Sequence, residues 1–380
     1  MFHEDRRNRS RPVLVALGLA VAVSGVAAAA SFLENPKHRL SPLPSPSAQP
    51  GPFTVTALQV PPAGRALIWF RDAEPSGSFF LRATDWSGRA VGRLAVSCAA
   101  CQVLVSPDGQ RLMIGDQDTA ALAASTDQVF DASGRRLSAV NGFQAQWSDD
   151  SRHLCALASM PPAPHHLIAA AELQVTDVSD GFVRDAAQVQ TVADPTRMGS
   201  WSLLRCAVSA DRAVLAYSYQ GVRAVRVIRI SNGATVLSLD EVPAARRCGC
   251  PVANLVVSGD MSLAVENLAA FGVREIDLGT GRETAVPATW NGQGSVLALS
   301  WNGRLAVTPI GVYAFPGGQP LWQVPLPAYM LPVSSQPRGE AVLLSLWVSS
   351  APSGRPVIVR GDGTNLALPA AYLTQPPLPF

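Results

Sequence analysis

The chain has 380 residues, 48% of them hydrophobic and only 15% charged, with a formal net charge of +2. The charged share falls well below the usual quarter or so. That excludes a disordered chain, a coiled coil and the strongly basic surface that nucleic acid requires.

Residues 1–12 carry four arginines: Arg6, Arg7, Arg9 and Arg11. Residues 13–33 follow with no charge, long enough as a helix to span roughly 30 Å, a bilayer core. The basic flank favours the cytoplasmic side, which puts the rest of the chain outside. The segment reads either as an uncleaved anchor or as a signal peptide cut near Ala28–Ala30, where small residues suit a cleavage site. A single-pass membrane protein is the first expectation and a secreted one the second. Residues 34–53 read as a linker, with five prolines between 40 and 53 that favour an extended, semi-rigid spacer. Beyond residue 33 the basic and acidic counts are equal, so the exported part is neutral.

From residue 54 a repeat takes over. VLVSPDGQRLMIG (103–115), LVVSGDMSLAVEN (255–267) and LALSWNGRLAVTP (297–309) each read as strand, turn, strand. QWSDDSRHLCALA (146–158) and CAVSADRAVLAYS (206–218) follow the same pattern, with weaker copies at 58–70 and 331–348. A second signature follows each first one, an apolar run, a turn with glycine and another short apolar run, with turn glycines at Gly88, Gly134, Gly181, Gly233, Gly281, Gly318 and Gly363. Their intervals are 46, 47, 52, 48, 37 and 45. Two hairpins per unit make four short strands, and a period of 40–50 residues with four strands is the propeller period. Sheets arranged radially bury both faces and leave only short edges. The sequence therefore predicts an all-β, seven-bladed β-propeller of four-stranded antiparallel blades over 54–380, after an N-terminal transmembrane or signal helix. Blade 1 is expected to open with its own inner strand near 54–60, and blade 7 to end with its own outer strand.

VSPDGQRLMIG (105–115), FDASGR (130–135) and REIDLGTGRE (274–283) resemble blades of divergent WD40-like and TolB-like β-propellers. The Gly-His and Trp-Asp dipeptides of true WD40 repeats are absent from these units. The resemblance implies the fold and no active-site motif, because such propellers include scaffolds, ligand binders and enzymes.

The six cysteines are even in number, in a chain placed outside the cytoplasm, where disulfides are the default. Cys98 with Cys101 and Cys248 with Cys250 are expected as local bridges. Cys155 with Cys206 is expected as a bridge between neighbouring blades. A redox-active C-x-x-C would need a helix after it, and a zinc site would need the two close pairs to meet across the ring.

Binding residues are sought on long loops between the second and third strands and between blades. These supply His165, His166, Arg197, Trp201, Arg246, Arg247 and Trp290. Trp69, Trp147, Trp301 and Trp347 read as inter-sheet core. Asp362 and Thr364 read as a turn. No esterase elbow, metalloprotease, phosphate-loop or dinucleotide motif occurs. No catalytic residue, cofactor or metal is therefore assigned. The expectation is a membrane-tethered extracytoplasmic binding module for an envelope protein or cell-surface ligand, without nucleic acid. The alternatives are a propeller hydrolase or lyase with its site at the channel mouth, and a part of a larger envelope complex.

Overall fold

A computed structural model describes residues 53–73, 78–98, 101–116, 127–140, 145–159, 171–189, 200–219, 222–240, 254–268, 272–285, 290, 295–325, 329–348, 351–352 and 355–369. These lie within the unit formed by residues 48–380. Residues 13–33 and the linker up to residue 52 lie outside the described set. Among the described residues no helix is long and apolar enough to cross a membrane.

The described strands form seven antiparallel sheets. Blade 1 holds β1 (Val55–Gln59), β2 (Leu67–Ala73), β3 (Phe79–Asp85) and β4 (Ala90–Val96). Blade 2 holds β5 (Cys101–Val105), β6 (Arg111–Asp116), β7 (Asp127–Asp131) and β8 (Arg136–Val140). Blade 3 holds β9 (Gln146–Trp147), β10 (His153–Ser159), β11 (Ala171–Asp177) and β12 (Val183–Val189). Blade 4 holds β13 (Ser200–Ala207), β14 (Arg212–Tyr219), β15 (Val222–Ile228) and β16 (Thr235–Asp240). Blade 5 holds β17 (Asn254–Val257), β18 (Leu263–Leu268), β19 (Gly272–Asp277) and β20 (Glu283–Ala285). Blade 6 holds β21 (Ala298–Leu299), β22 (Leu305–Thr308), β23 (Gly311–Ala314) and β24 (Pro320–Gln323). Blade 7 holds β25 (Tyr329–Ser335), β26 (Ala341–Val348), the two-residue β27 (Ala351–Pro352), β28 (Val357–Arg360) and β29 (Asn365–Ala367).

Buried side chains join the blades in chain order. Leu81 and Leu112 share the cluster between blades 1 and 2, and Val129 and Leu154 that between 2 and 3. Leu173 and Leu215 join blades 3 and 4, Val227 and Ile276 blades 4 and 5, Val265 and Ala306 blades 5 and 6. Val307 and Leu344 join 6 and 7, and Leu343 meets Phe70 to join blade 7 back to blade 1. The ring is thereby closed. Second strands carry apolar residues on both faces because each serves two boundaries. On β2, Leu67 and Trp69 enter the blade 2 cluster while Ile68 and Phe70 enter the blade 7 cluster. Successive strand residues point to opposite faces, and both faces here are covered.

Aspartate and serine build the turns. The Ser106 hydroxyl donates to Asp108 Oδ1 at 2.7 Å and accepts from the Arg111 amide at 2.9 Å. Gly109 follows at φ +69°, where an added Cβ would lie 2.4 Å from the Leu67 carbonyl oxygen. In the outer hairpins, Asp85 accepts from the Ser87 hydroxyl at 2.6 Å and from the Ser87 and Arg89 amides at 3.0 Å. Asp131 does the same with Ser133 and Arg135. Asp362 accepts from the Thr364 hydroxyl at 2.7 Å and from its amide, so this segment is a turn.

Blade 1 departs from the expectation. β1 does not pair with β2; it pairs with β4, at the outer edge of the sheet. Two contacts place β2 at the level of the second strands. The blade 2 turn glycine, Gly109, abuts Leu67, as Gly303 of blade 6 abuts Leu263, the first residue of β18. The segment from β1 to β2 crosses the blade, with the Pro61 ring over Gly92 of β4, where a Cβ would lie 2.7 Å from it. No described strand therefore lies on the axial side of β2. Bulk offsets this. Trp69, Phe70, Phe79, Leu67, Leu81 and Leu94, all in blade 1, are among the largest fully buried side chains. Each contributes about 1.5–3 kcal/mol by burial. Blade 7 ends with its own fourth strand, β29, and each described sheet is built from one continuous stretch of chain.

Candidate ligand site at the ring axis

A cavity of about 290 Å³ is walled by β13, β17, β25 and the segment from Leu297 to β21. Leu204, Val256, Leu299 and Val333 on this wall come from four different blades. Blades 4 and 7 share no boundary, so their residues meet only across the centre of the ring. This fixes the first strands of blades 4–7 as the axial ones.

Two β-bulges shape the wall. In β13, Leu203 pairs with Leu215 and Arg205 with Val214, which leaves Leu204 over. In β25, Pro332 pairs with Leu344 and Ser334 with Leu343, which leaves Val333 over. A bulge bends its strand and re-aims side chains. Leu204 remains 46% exposed and Leu297 38% exposed, an uncovered apolar surface inside a concavity. Pro332 has no amide to donate and is tolerated because β25 is an edge strand facing the axis.

Arg205, Ser334 and Ser335 supply the wall's polar side chains. Arg205 is half-buried, and no described residue accepts a hydrogen bond from its guanidinium. Burial pushes its pKa down, and the carboxylates of Asp149 and Asp260 act against that shift. Arginine still remains cationic. Neither carboxylate is free. Asp149 accepts from the Ser148 hydroxyl at 2.9 Å and from the Ser209 amide and hydroxyl. Asp260 accepts from the Ser258 hydroxyl at 2.7 Å and from the Ser262 amide and hydroxyl. The site can therefore hold a ligand by apolar contact, with one guanidinium and two hydroxyls to orient it.

Cys206, next to Arg205, is bonded to Cys155 on β10. Cys98 and Cys101 are bonded to each other across the step from blade 1 to blade 2. Cys248 and Cys250 lie outside the described residues, as do His165, His166, Arg197, Arg246 and Arg247. The backbone of Trp201 belongs to β13, opposite Tyr217, four residues before Arg205. Its side chain is outside the described set.

Trp290 corrects an expectation. It is 3% exposed and packs edge-on against Tyr313 and Phe315, with ring centroids 5.9 and 5.4 Å away. It sits in the cluster between blades 5 and 6 and presents no binding surface. Its position between strands suggested a surface residue, but the boundary extends past the strand ends. Its buried Nε1 has no hydrogen-bond partner. Trp69, Trp147 and Trp301 are buried, and the first two donate to the Gly109 and Leu104 carbonyls. The Trp347 side chain is outside the described set.

Loop-based reasoning passed over Leu204, Arg205 and Ser334. The available signal was a charge inside an otherwise apolar first strand, LLRCAV (203–208). Among the described residues no group of three or more His, Cys, Asp or Glu side chains is placed to hold a metal ion.

The chain matches no family model and no curated protein. Among solved structures it is similar to a prolyl endopeptidase, one of two studied for the role of inter-domain dynamics in catalysis and specificity. The two are 16% identical with a TM-score of 0.45, over 80% of this chain and 49% of the other. The chain thus spans about half the length of that structure. A likeness at this level transfers no chemistry.

Proposed function

We propose that this protein is an extracytoplasmic binding module, tethered to a membrane through residues 13–33, that holds a ligand at the ring axis. It stands among the divergent WD40-like and TolB-like propellers. Its ligand belongs to the envelope or the cell surface. The observation that supports this is the axial cavity of about 290 Å³, with Leu204 and Leu297 exposed inside it. Its exposed lining is about equally polar and apolar, and a concavity with a few convergent polar groups is the usual form of a ligand site. The Cys98–Cys101 and Cys155–Cys206 bridges are compatible with an oxidising compartment.

Ligand-observed NMR of a fragment library against the full chain in detergent tests the axial site. A parallel sample carries Leu204→Trp, which fills the cavity. Hits present in the wild type and lost in the filled variant support the site. Hits that survive the substitution, or no hits at all, overturn it.

A further inference from the structure

We propose that the axial site takes a small organic monocarboxylate with an apolar body, its carboxylate paired to Arg205. This rests on the axial reading above and adds the chemistry of the ligand.

The β13 bulge brings Arg205 to the wall among aliphatic side chains. A guanidinium has five donors in a planar fork, and a carboxylate is the acceptor that fits it in two parallel bonds. The fork has no hydrogen-bonded partner among the described residues, although two carboxylates are near enough to affect its charge. Asp149 and Asp260 are occupied by serine hydroxyls and amides, so they stabilise the cation without covering it.

The same two carboxylates select against multiply charged ligands. Together with Arg205 these two carboxylates sum to −1. A phosphate dianion meets that repulsion and finds no second cation among the described residues of the wall. A monocarboxylate brings one charge, and its apolar part is buried against Leu204, Leu297 and Val333. Among the described residues the Ser334 hydroxyl on the opposite bulged strand makes only a long 3.5 Å contact to the Ser335 carbonyl, so it can turn toward a second ligand oxygen. A cavity of about 150 Å³ holds a benzene. One of about 290 Å³ suits a ligand of roughly ten non-hydrogen atoms.

Octanoate, octanamide and inorganic phosphate are the probes, titrated calorimetrically into the full chain in detergent below the micelle-forming concentration of octanoate. Octanoate should bind at least tenfold more tightly than octanamide, and phosphate should give no heat. Arg205→Gln should bring the acid-to-amide ratio to about one while octanamide still binds. Arg205→Lys should keep part of the preference. Equal binding of acid and amide to the wild type, a preference that survives Arg205→Gln, or no octanoate binding each overturns the carboxylate assignment. The wild-type ratio needs no variant, so the test stands even if Arg205→Gln does not fold. Leu204→Trp separates the two claims. Octanoate that binds it as well as the wild type overturns the axial site itself, whereas equal loss of both probes keeps the site and leaves the acid-to-amide ratio to judge the ligand.

Discussion

Cys155 on β10 and Cys206 on β13 are covalently joined across the boundary between blades 3 and 4, with their Cα atoms 6.3 Å apart. Ser148 and Cys206 also form an isolated bridge at the same boundary. The axial strand that carries Leu204 and Arg205 is therefore anchored to its neighbour one residue beyond the cation.

The two bridges should differ in what their removal costs. Chain-entropy arguments give about 4 kcal/mol for closing a loop of 51 residues and about 2 kcal/mol for one of 3. Urea unfolding of Cys155→Ser/Cys206→Ser should show the larger loss, and Cys98→Ser/Cys101→Ser the smaller. Equal losses would mean that the inter-blade bridge is not constraining the unfolded chain.

Two turn glycines separate backbone conformation from crowding. Gly64 has φ +74° and nothing within 4 Å of an added Cβ, so Gly64→Ala should cost about 1 kcal/mol, the left-handed penalty alone. Gly109 has φ +69°, and its Cβ would meet the Leu67 carbonyl, which is backbone and cannot swing away. Gly109→Ala should therefore cost at least twice as much, read as the shift in thermal midpoint. Equal costs would show that the turn of blade 2 moves freely against β2.

Acid should unfold the ring through its turns. Burial raises the Asp85 carboxyl, but the Ser87 hydroxyl and the Arg89 and Ser87 amides outweigh it, so its pKa lies below the ordinary value. Burial likewise opposes, without overcoming, the lowering by Ser133 and Arg135 at Asp131 and by Ser179 at Asp177. A carboxyl depressed in the folded state contributes stability above its unfolded pKa of about 3.9, lost as pH falls through its folded pKa. The urea midpoint should be level between about pH 7 and 5 and decline below about pH 4. Asp131→Asn keeps an acceptor oxygen but does not titrate, so it should flatten part of that decline. A variant as acid-sensitive as the wild type would remove the turn carboxylates from the account.

The repeat was legible because its signals are local. A glycine with positive φ marks the turn of the outer hairpin at Gly88, Gly134 and Gly181, and the same residue type is visible in the sequence. The place of β1 was not legible. LQVPPAGRALIWF (58–70) reads as strand, turn, strand, yet pairing is decided by β4, more than thirty residues away, and by the fit of Pro61 on Gly92. The axial site was hidden for a related reason. Leu204 and Val333 are the extra residues of two bulges, and a period-two reading assigns every residue of a strand a face without showing where the register slips.

At the boundary between blades 7 and 1 no described strand is exchanged. Ile68, Phe70 and Trp86 pack on Leu343, Ile358 and Leu368, and Arg360 donates to the Trp86 carbonyl. The other six boundaries are likewise lined by packed side chains. Among the described residues this seam is therefore held by side-chain packing and one hydrogen bond. Duplication or loss of a unit among blades 4 to 6 would bring together two faces of the same packed, apolar kind. The number of blades is then set by how neighbouring units are inclined to each other.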